Sequence, residues 1–173
     1  MAFTKDSPAY KQLLQFNSEQ TKFLAGFLRD KGKVVKIPDS MRSKGSNISL
    51  YLIEKPTDMQ GVTVRVDLWV NRTNNILIEA KHKRRQLDGQ IKAEAGWFYT
   101  CQAHHLFVID PLGNKIYQFN WRLLKAFVAQ NGPHVELKTW KNKTDDDTET
   151  SAYMVKLAVL RRERILTGEW EIE

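Results

Sequence analysis

The most informative segment of the sequence runs from Val62 to Lys81 and reads VTVRVDLWVNRTNNILIEAK. It holds two apolar runs, separated by a short polar break at residues 71–75. Alternation of apolar and polar residues predicts a β-strand for each run. The first run carries Asp67 and the second carries Glu79, although charged side chains are seldom buried unless they are paired or bind a metal. These two acids therefore need a structural or chemical reason.

If the polar break is the turn of a hairpin, the register of its two strands predicts where the charged side chains lie. In the hairpin register Asp67 lies opposite Glu79 on one face, with Lys81 one pleat further along. Two adjacent carboxylates repel each other unless a cation lies between them, and Mg²⁺ prefers oxygen ligands. We predict a Mg²⁺ site formed by Asp67, Glu79 and the carbonyl oxygen of Ala80, with Mn²⁺ as a substitute. Lys81 would orient an attacking water or stabilise charge on a phosphate.

A second acid-any-Lys triplet, Glu136-Leu137-Lys138, occurs near the C-terminus. Such triplets arise by chance, and no acid-bearing strand precedes this one at hairpin distance. We therefore expect the chemistry at Glu79 and not at Glu136.

The composition favours a nucleic-acid partner. The chain has 173 residues and a formal net charge of +7 at pH 7, which favours a polyanion. The length is typical of one domain that needs no disulfide or zinc to stabilise its core. Cys101 is the single cysteine, so an intramolecular disulfide is excluded. The sequence shows no signal peptide and no apolar run of transmembrane length, and we expect a soluble, cytoplasmic protein.

Apolar spacing elsewhere predicts a mixture of helices and strands. Helices are expected at about 8–16, 18–31, 87–102 and 121–129. Strands are expected at about 33–37, 48–53, 62–70, 75–81, 105–109, 115–119, 134–140 and 153–160. The charged segment 141–151 is predicted to be a loop. We expect an α/β (α+β) fold with a mixed central sheet flanked by helices. Residues 1–130 would form the core, and 131–173 a C-terminal extension on the same domain.

This order of elements, with Asp67 on one strand and Glu79-Ala80-Lys81 on the next, resembles the PD-(D/E)XK nuclease superfamily. The resemblance covers about residues 17 to 119 and implies a restriction-endonuclease-like core in the order α-β-β-β-α-β. It also implies two further site residues. They are Glu19, an acid on the first helix, and Gln90, on the helix that follows the motif.

Basic residues near the motif are predicted to bind the DNA backbone. Three come from a basic, serine-containing loop that resembles one in Holliday junction resolvase-type members, and four follow the Glu-x-Lys triplet. The predicted nucleic-acid-binding residues are Arg42, Lys44, Ser46, Lys83, Arg84, Arg85 and Lys92. The alternative for the basic run is a solvated charged surface. For Asp67, Glu79 and Lys81 the alternative is a cross-strand salt bridge on an exposed face, which has little energetic value.

The resemblance implies a divalent-metal-dependent DNA endonuclease that hydrolyses phosphodiester bonds. Its substrate would be a branched structure such as a junction, or a specific site as in restriction or homing enzymes. One site per chain implies a homodimer, which would cut both strands. The alternative is a non-catalytic or RNA-directed nucleic-acid-binding module on the same fold. Cutting of DNA in the presence of Mg²⁺ separates the two.

Overall fold

A computed structural model describes residues 8, 11, 17–38, 47–85, 89–130, 135–142 and 145–172. At residues 84, 85, 142 and 145–148 only the backbone is described. The helices in these ranges are α1 (Asn17–Asp30), α2 (Val70–Thr73), α3 (Trp97–Thr100), α4 (Trp121–Gln130) and α5 (Leu157–Arg162). The strands are β1 (Val34–Lys36), β2 (Leu50–Lys55), β3 (Asp58–Val66), β4 (Asn75–Arg85), β5 (Ile91–Ala95), β6 (His105–Asp110), β7 (Lys115–Asn120), β8 (Glu136–Asn142), β9 (Asp145–Lys156) and β10 (Leu166–Glu171).

The first sheet has six strands in the order β1-β2-β3-β6-β7-β10. It is mixed, because β3 and β6 are parallel and the other neighbouring pairs are antiparallel. A parallel pair needs a long crossover, and residues 67–104 provide it. That crossover contains β4 and β5, which belong to the second sheet, and it carries most of the predicted site.

Helix α1 covers one face of the first sheet. Its apolar stripe includes Leu24 and Leu28, which pack with Val62, Val64 and Phe107 from β3 and β6. Burying each of these large side chains contributes roughly 1.5–3 kcal/mol. The helix ends as predicted at Gly32, whose φ of 74° lies in the left-handed region that favours glycine at a helix C-terminus.

The second sheet has four antiparallel strands in the order β5-β4-β9-β8. Its inner half supplies Ile76, Ile78 and Val155 to a second core against the other face of the first sheet. Helix α4 contributes Trp121 and Leu124 to the same core. The outer half of the sheet extends past this core, and its residues are largely exposed.

The predicted fold class is confirmed: the protein is α+β, with a mixed sheet flanked by helices. Helix 18–31, helix 121–129 and the strands at 33–37, 48–53, 75–81, 105–109, 115–119 and 134–140 match observed elements to within a few residues. The predicted helix at 8–16 lies mostly outside the described residues. The segment 131–173 supplies strands to both sheets, and its boundary with the core stays a prediction.

Three predicted elements are wrong. Among the described residues of the predicted helix 87–102, residues 91–95 form β5 and only Trp97–Thr100 is helical, so the order α-β-β-β-α-β is interrupted after the motif. The predicted loop 141–151 mostly belongs to β8 and β9. The predicted strand 153–160 is strand only to Lys156 and then becomes α5. In each case pairing across the second sheet, which local pattern does not reveal, decides the structure.

The predicted hairpin of Asp67 opposite Glu79 is also wrong. Strand β3 ends at Val66, helix α2 follows, and β4 then pairs with β5 and β9 instead of β3. Glu79 lies opposite Ala152. The polar break is a helical turn that moves the chain from one sheet to the other, so the two runs never share a ladder.

None of the helices in the described part of the chain is both long and apolar enough to cross a membrane.

Candidate functional site

A β-bulge at Ala80 sets the direction of the side chains in the predicted motif. Between Glu79 and Lys81 the pairing advances two residues on β4 but one on β9. Such an extra residue shifts the alternation of side chains between the two faces of the sheet. Glu79 and His82 consequently share a face, with 3.3 Å between Oε1 and Nδ1. Lys81 borders a separate depression, together with Tyr99.

Gly96 packs directly against this bulge. Its backbone N–H donates a hydrogen bond to the carbonyl oxygen of Ala80 at 2.8 Å. A Cβ at this position would overlap the backbone carbonyl of Glu79 and the carbonyl carbon of Ala80. Glycine is therefore required sterically here, since any other residue would push β4 away from the start of α3.

A polar cleft of about 440 Å³ opens beside Glu79. Its walls come from α1, both sheets and α3. The lining residues are Asn17, Asn47, Arg65, Glu79, His82, Ala95, Trp97 and Thr100. A neighbouring depression of about 320 Å³ shares three of these residues and extends along α1 to Lys22. We call the first space the Glu79 cleft.

Aromatic stacking holds Arg65 at the wall of the Glu79 cleft. Its guanidinium lies over the ring of Trp97, 4.9 Å from the centroid. Trp97 in turn stacks on Trp121, with 5.0 Å between ring centroids. The indole N–H of Trp121 donates to the carbonyl oxygen of Cys101 at 3.2 Å. A cation over an aromatic face gains about 0.5–2 kcal/mol, so this stack favours one position of the guanidinium.

His82 stands between two carboxylates. Its Nδ1 lies 3.3 Å from Oε1 of Glu79, and its Nε2 lies 3.1 Å from Oε2 of Glu94. All three side chains are about 30% exposed, at 30% for His82, 32% for Glu79 and 28% for Glu94. The ring nitrogens point in different directions, so the carboxylates lie on different sides of the ring. This chain of contacts orients Glu79 toward the cleft.

The structure places Asp67 in a backbone-binding role. The residue is only 8% exposed. Oδ1 accepts a hydrogen bond from the N–H of Trp69 at 2.8 Å, and Oδ2 accepts one from the N–H of Leu77 at 3.0 Å. Burial raises the pKa of Asp67 above its usual value, and the nearby carboxylate of Asp110 raises it further against the opposing effect of the hydrogen bonds.

Each of the three predicted metal ligands has a polar partner within the protein. Both oxygens of Asp67 accept hydrogen bonds, Glu79 faces the cleft beside His82, and the carbonyl oxygen of Ala80 accepts a bond from Gly96. Within the described ranges, no group of three histidine, cysteine, aspartate or glutamate side chains is arranged to bind a metal ion. A site of two carboxylates and one backbone carbonyl is of a different kind, so the predicted Mg²⁺ site stays a prediction.

The remaining predicted catalytic residues lie apart from the Glu79 cleft. Glu19 is in the first turn of α1 and forms an ion pair of 2.8 Å with Lys22. Gln90 is exposed just before β5, and the helix predicted to carry it is absent there. Lys81 is exposed on the other side of β4 from Glu79.

The predicted nucleic-acid-binding residues fall into three groups. Lys83 is on β4, in an ion pair with Glu149, and Lys92 is exposed on β5. Arg84 and Arg85 belong to β4, where only their backbone is described. The loop residues lie outside the described part of the chain, and they are Arg42, Lys44 and Ser46.

Three residues of the site were not predicted from the sequence, namely Arg65, His82 and Glu94. Arg65 had a usable signal, because it is a polar residue in the alternating run that predicts β3, two residues before Asp67. For His82 the sequence indicates only that it directly precedes the basic residues Lys83, Arg84 and Arg85. Its contact with Glu79 depends on the bulge at Ala80, which the sequence does not show.

Comparison with known proteins gives one structural likeness. No protein-family model matches the chain, and no curated protein matches it significantly. The chain is similar in structure to the bacterial homing endonuclease I-Ssp6803I, with a TM-score of 0.45 and 12% sequence identity. The likeness covers 64% of this chain and 70% of that one.

Proposed function

We propose that the chain is a DNA endonuclease and that the Glu79 cleft is its reactive site. One observation carries this proposal: the carboxylate of Glu79 and the guanidinium of Arg65 line the same polar cleft, although they come from different sheets. A phosphodiester in the cleft would meet a donor fork suited to phosphate and a carboxylate able to accept a proton. The net charge of +7 favours the approach of a polyanion.

Each residue of the cleft has a separate task in this proposal. Arg65 binds a non-bridging phosphate oxygen, because its guanidinium offers parallel N–H donors that stacking on Trp97 keeps in place. Glu79 accepts the proton of the attacking water. His82 is a positioning residue that holds Glu79 through Nδ1, and Glu94 holds His82 through Nε2. An oriented base backed by a second group is a recurrent arrangement for activating a nucleophile.

The dependence on Mg²⁺ stays a prediction. Mg²⁺ often binds proteins through one or two carboxylates and completes its shell with water and substrate phosphate oxygens. Glu79 is the one predicted carboxylate ligand that faces the cleft. If a cation is required, we expect it to bind weakly to the free protein and more tightly together with DNA.

The test is an incubation of the wild-type protein with supercoiled plasmid, linear duplex, single-stranded DNA and a four-way junction. Each substrate is tested with Mg²⁺, with Mn²⁺ and with EDTA. We expect nicking or linearisation of at least one DNA. Preference for the junction would indicate a structure-specific enzyme, and discrete fragments from one duplex would indicate a site-specific one. No cutting of any substrate with either metal would contradict the proposal.

A non-catalytic or RNA-directed binding module is the second candidate. Two observations favour it, because Asp67 is engaged by backbone N–H groups and Lys81 faces away from the cleft. Such a module would bind DNA or RNA without cutting it. Binding measured on the same four DNAs and on an RNA duplex separates the candidates, since only the endonuclease turns substrate over.

We also propose a homodimer as the cutting form. One reactive cleft per chain can cut one strand at a time, so two chains would cut both strands of a duplex together. Light scattering on the protein alone and with DNA tests this, and a monomer in both states would contradict it.

A further inference from the structure

Three lysines share the face of the second sheet that is opposite to Glu79. Lys83 on β4 lies directly across from Glu149 on β9, which lies directly across from Lys141 on β8. Lys81 is two residues before Lys83 on the same strand and therefore shares this face. Residues directly opposite in an antiparallel ladder have their side chains on one side of the sheet. Among the side chains that the structure describes here, one carboxylate thus lies among three cations, and we call these four residues the lysine cluster.

Two side-chain contacts agree with this placement. Nζ of Lys83 lies 2.8 Å from Oε2 of Glu149. In the next row of the ladder the hydroxyls of Thr139 and Ser151 are 2.8 Å apart, so this face is continuous from β8 to β9. The hydrogen bond from Lys83 and its charge lower the pKa of Glu149, and the charges of Lys141 and Lys81 lower it further.

The surroundings of the lysine cluster are open. The side chain of Lys83 is 43% exposed, and Lys141 and Lys81 are exposed as well. The outer half of the second sheet extends past the core, so a large partner can approach. Exposed ion pairs contribute little free energy, and Glu149 is therefore a weak competitor for this site.

We propose that the lysine cluster binds the phosphodiester backbone of DNA and that Glu149 occupies it as an internal counter-ion in the free protein. The three lysines carry three positive charges and Glu149 carries one negative charge, so the cluster keeps a net charge of +2. A phosphate group can replace the carboxylate at Lys83, and lysines bind phosphate as point charges. The choice of DNA as the polyanion rests on the proposed function. The contact surface would then extend from the Glu79 cleft around β4 to the other face of the sheet.

The test measures binding of a fluorescent duplex oligonucleotide in EDTA over a series of salt concentrations. Lys83→Ala and Lys141→Ala should each weaken binding several-fold and reduce the slope of log K against log salt by about 1. Glu149→Gln should strengthen binding several-fold, because it removes the competing charge. Lys115→Ala is the matched control, since Lys115 is 36% exposed and forms a similar ion pair of 3.0 Å with Glu169, but lies on β7 of the first sheet, outside the lysine cluster and the lining of the Glu79 cleft. It should leave affinity and slope nearly unchanged.

Three results would overturn the inference. The first is weaker binding by Glu149→Gln with an unchanged melting temperature, the second is an equal loss from Lys115→Ala and Lys141→Ala, and the third is binding that depends on neither Lys83 nor Lys141. Failure of the lysine cluster and failure of the proposed function give different results in this test. A wild type that never cuts, but whose binding follows Lys83 and Lys141, contradicts only the enzyme. A cutting enzyme whose binding ignores both lysines contradicts only the lysine cluster.

Discussion

The carboxylate of Asp67 accepts a hydrogen bond from the backbone N–H of Leu77 at 3.0 Å. Asp67 follows the last residue of β3 in the first sheet, and Leu77 is on β4 in the second. This bond therefore joins the two sheets two residues before Glu79. The second oxygen accepts a bond from the N–H of Trp69, so the same side chain also organises the turn that leads into α2. Asp67 supports the site by positioning β4.

Asp67→Asn should destabilise the fold. The amide can accept only through its oxygen, so its NH₂ group would face one of two backbone N–H donors. Leaving a buried donor unsatisfied costs about 1–3 kcal/mol. Urea unfolding measures this loss, and Asp58→Asn on the exposed start of β3 is the control. Full stability combined with loss of cutting would instead favour the predicted role of Asp67 as a metal ligand.

Two buried acids should contribute stability that the protein loses as the pH rises above their ordinary pKa. Burial raises the pKa of both Asp67 and Asp110 above the ordinary value of 3.8. The folded chain then binds these protons more tightly than the unfolded chain. Their contribution is fully present below the unfolded pKa, and it is lost as the pH rises through the folded pKa values.

Asp110→Asn tests this dependence, because its amide oxygen can still accept the hydrogen bond that Gly113 donates to Oδ1. Between about pH 4 and 7 the variant should lose less stability than the wild type, since one of the two titrating groups is gone. The measurement is the urea midpoint at a series of pH values. Parallel profiles for variant and wild type would contradict the assignment.

Gly96→Ala should reduce both stability and cutting. The added methyl group would collide with the backbone carbonyls of Glu79 and Ala80 and force β4 to move. Overpacking of this kind costs roughly 1–3 kcal/mol. Gly26→Ala is the matched control, because it lies within α1 with no atom near the new methyl group. The control should gain about 0.4–1 kcal/mol, and a tolerated Gly96→Ala would show that the bulge is not held as described.

Much of the architecture could be predicted from local pattern. Alternating valines before Asp67 define β3, and the apolar stripe with Gly32 defines the end of α1. These elements are predictable because burial on one face imposes a period of two or 3.6 residues. The same period of two places Arg65 on the face of β3 opposite to Val64 and Val66.

Strand β5 and the bulge at Ala80 could not be predicted, because they depend on pairing between residues far apart in the sequence. The residues of β5 also fit a helical stripe, but they pair with the outer half of β4, where Lys81 lies opposite Ala95. Differences in helix propensity of a few tenths of a kcal/mol per residue do not outweigh such a ladder. The bulge at Ala80 decides that Glu79 faces the cleft and Lys81 does not. That bulge depends on Gly96, sixteen positions away in the sequence, and no local pattern shows it.

The most direct test of the proposed site compares DNA cutting by Glu79→Gln and Glu136→Gln. Both acids begin acid-any-Lys triplets on strands of the second sheet, but only Glu79 lines the cleft with Arg65. Loss of an essential general base lowers rates by about 10²–10⁴-fold. We predict such a loss for Glu79→Gln, with DNA binding retained, and wild-type cutting by Glu136→Gln. Wild-type cutting by a folded Glu79→Gln variant would contradict the account.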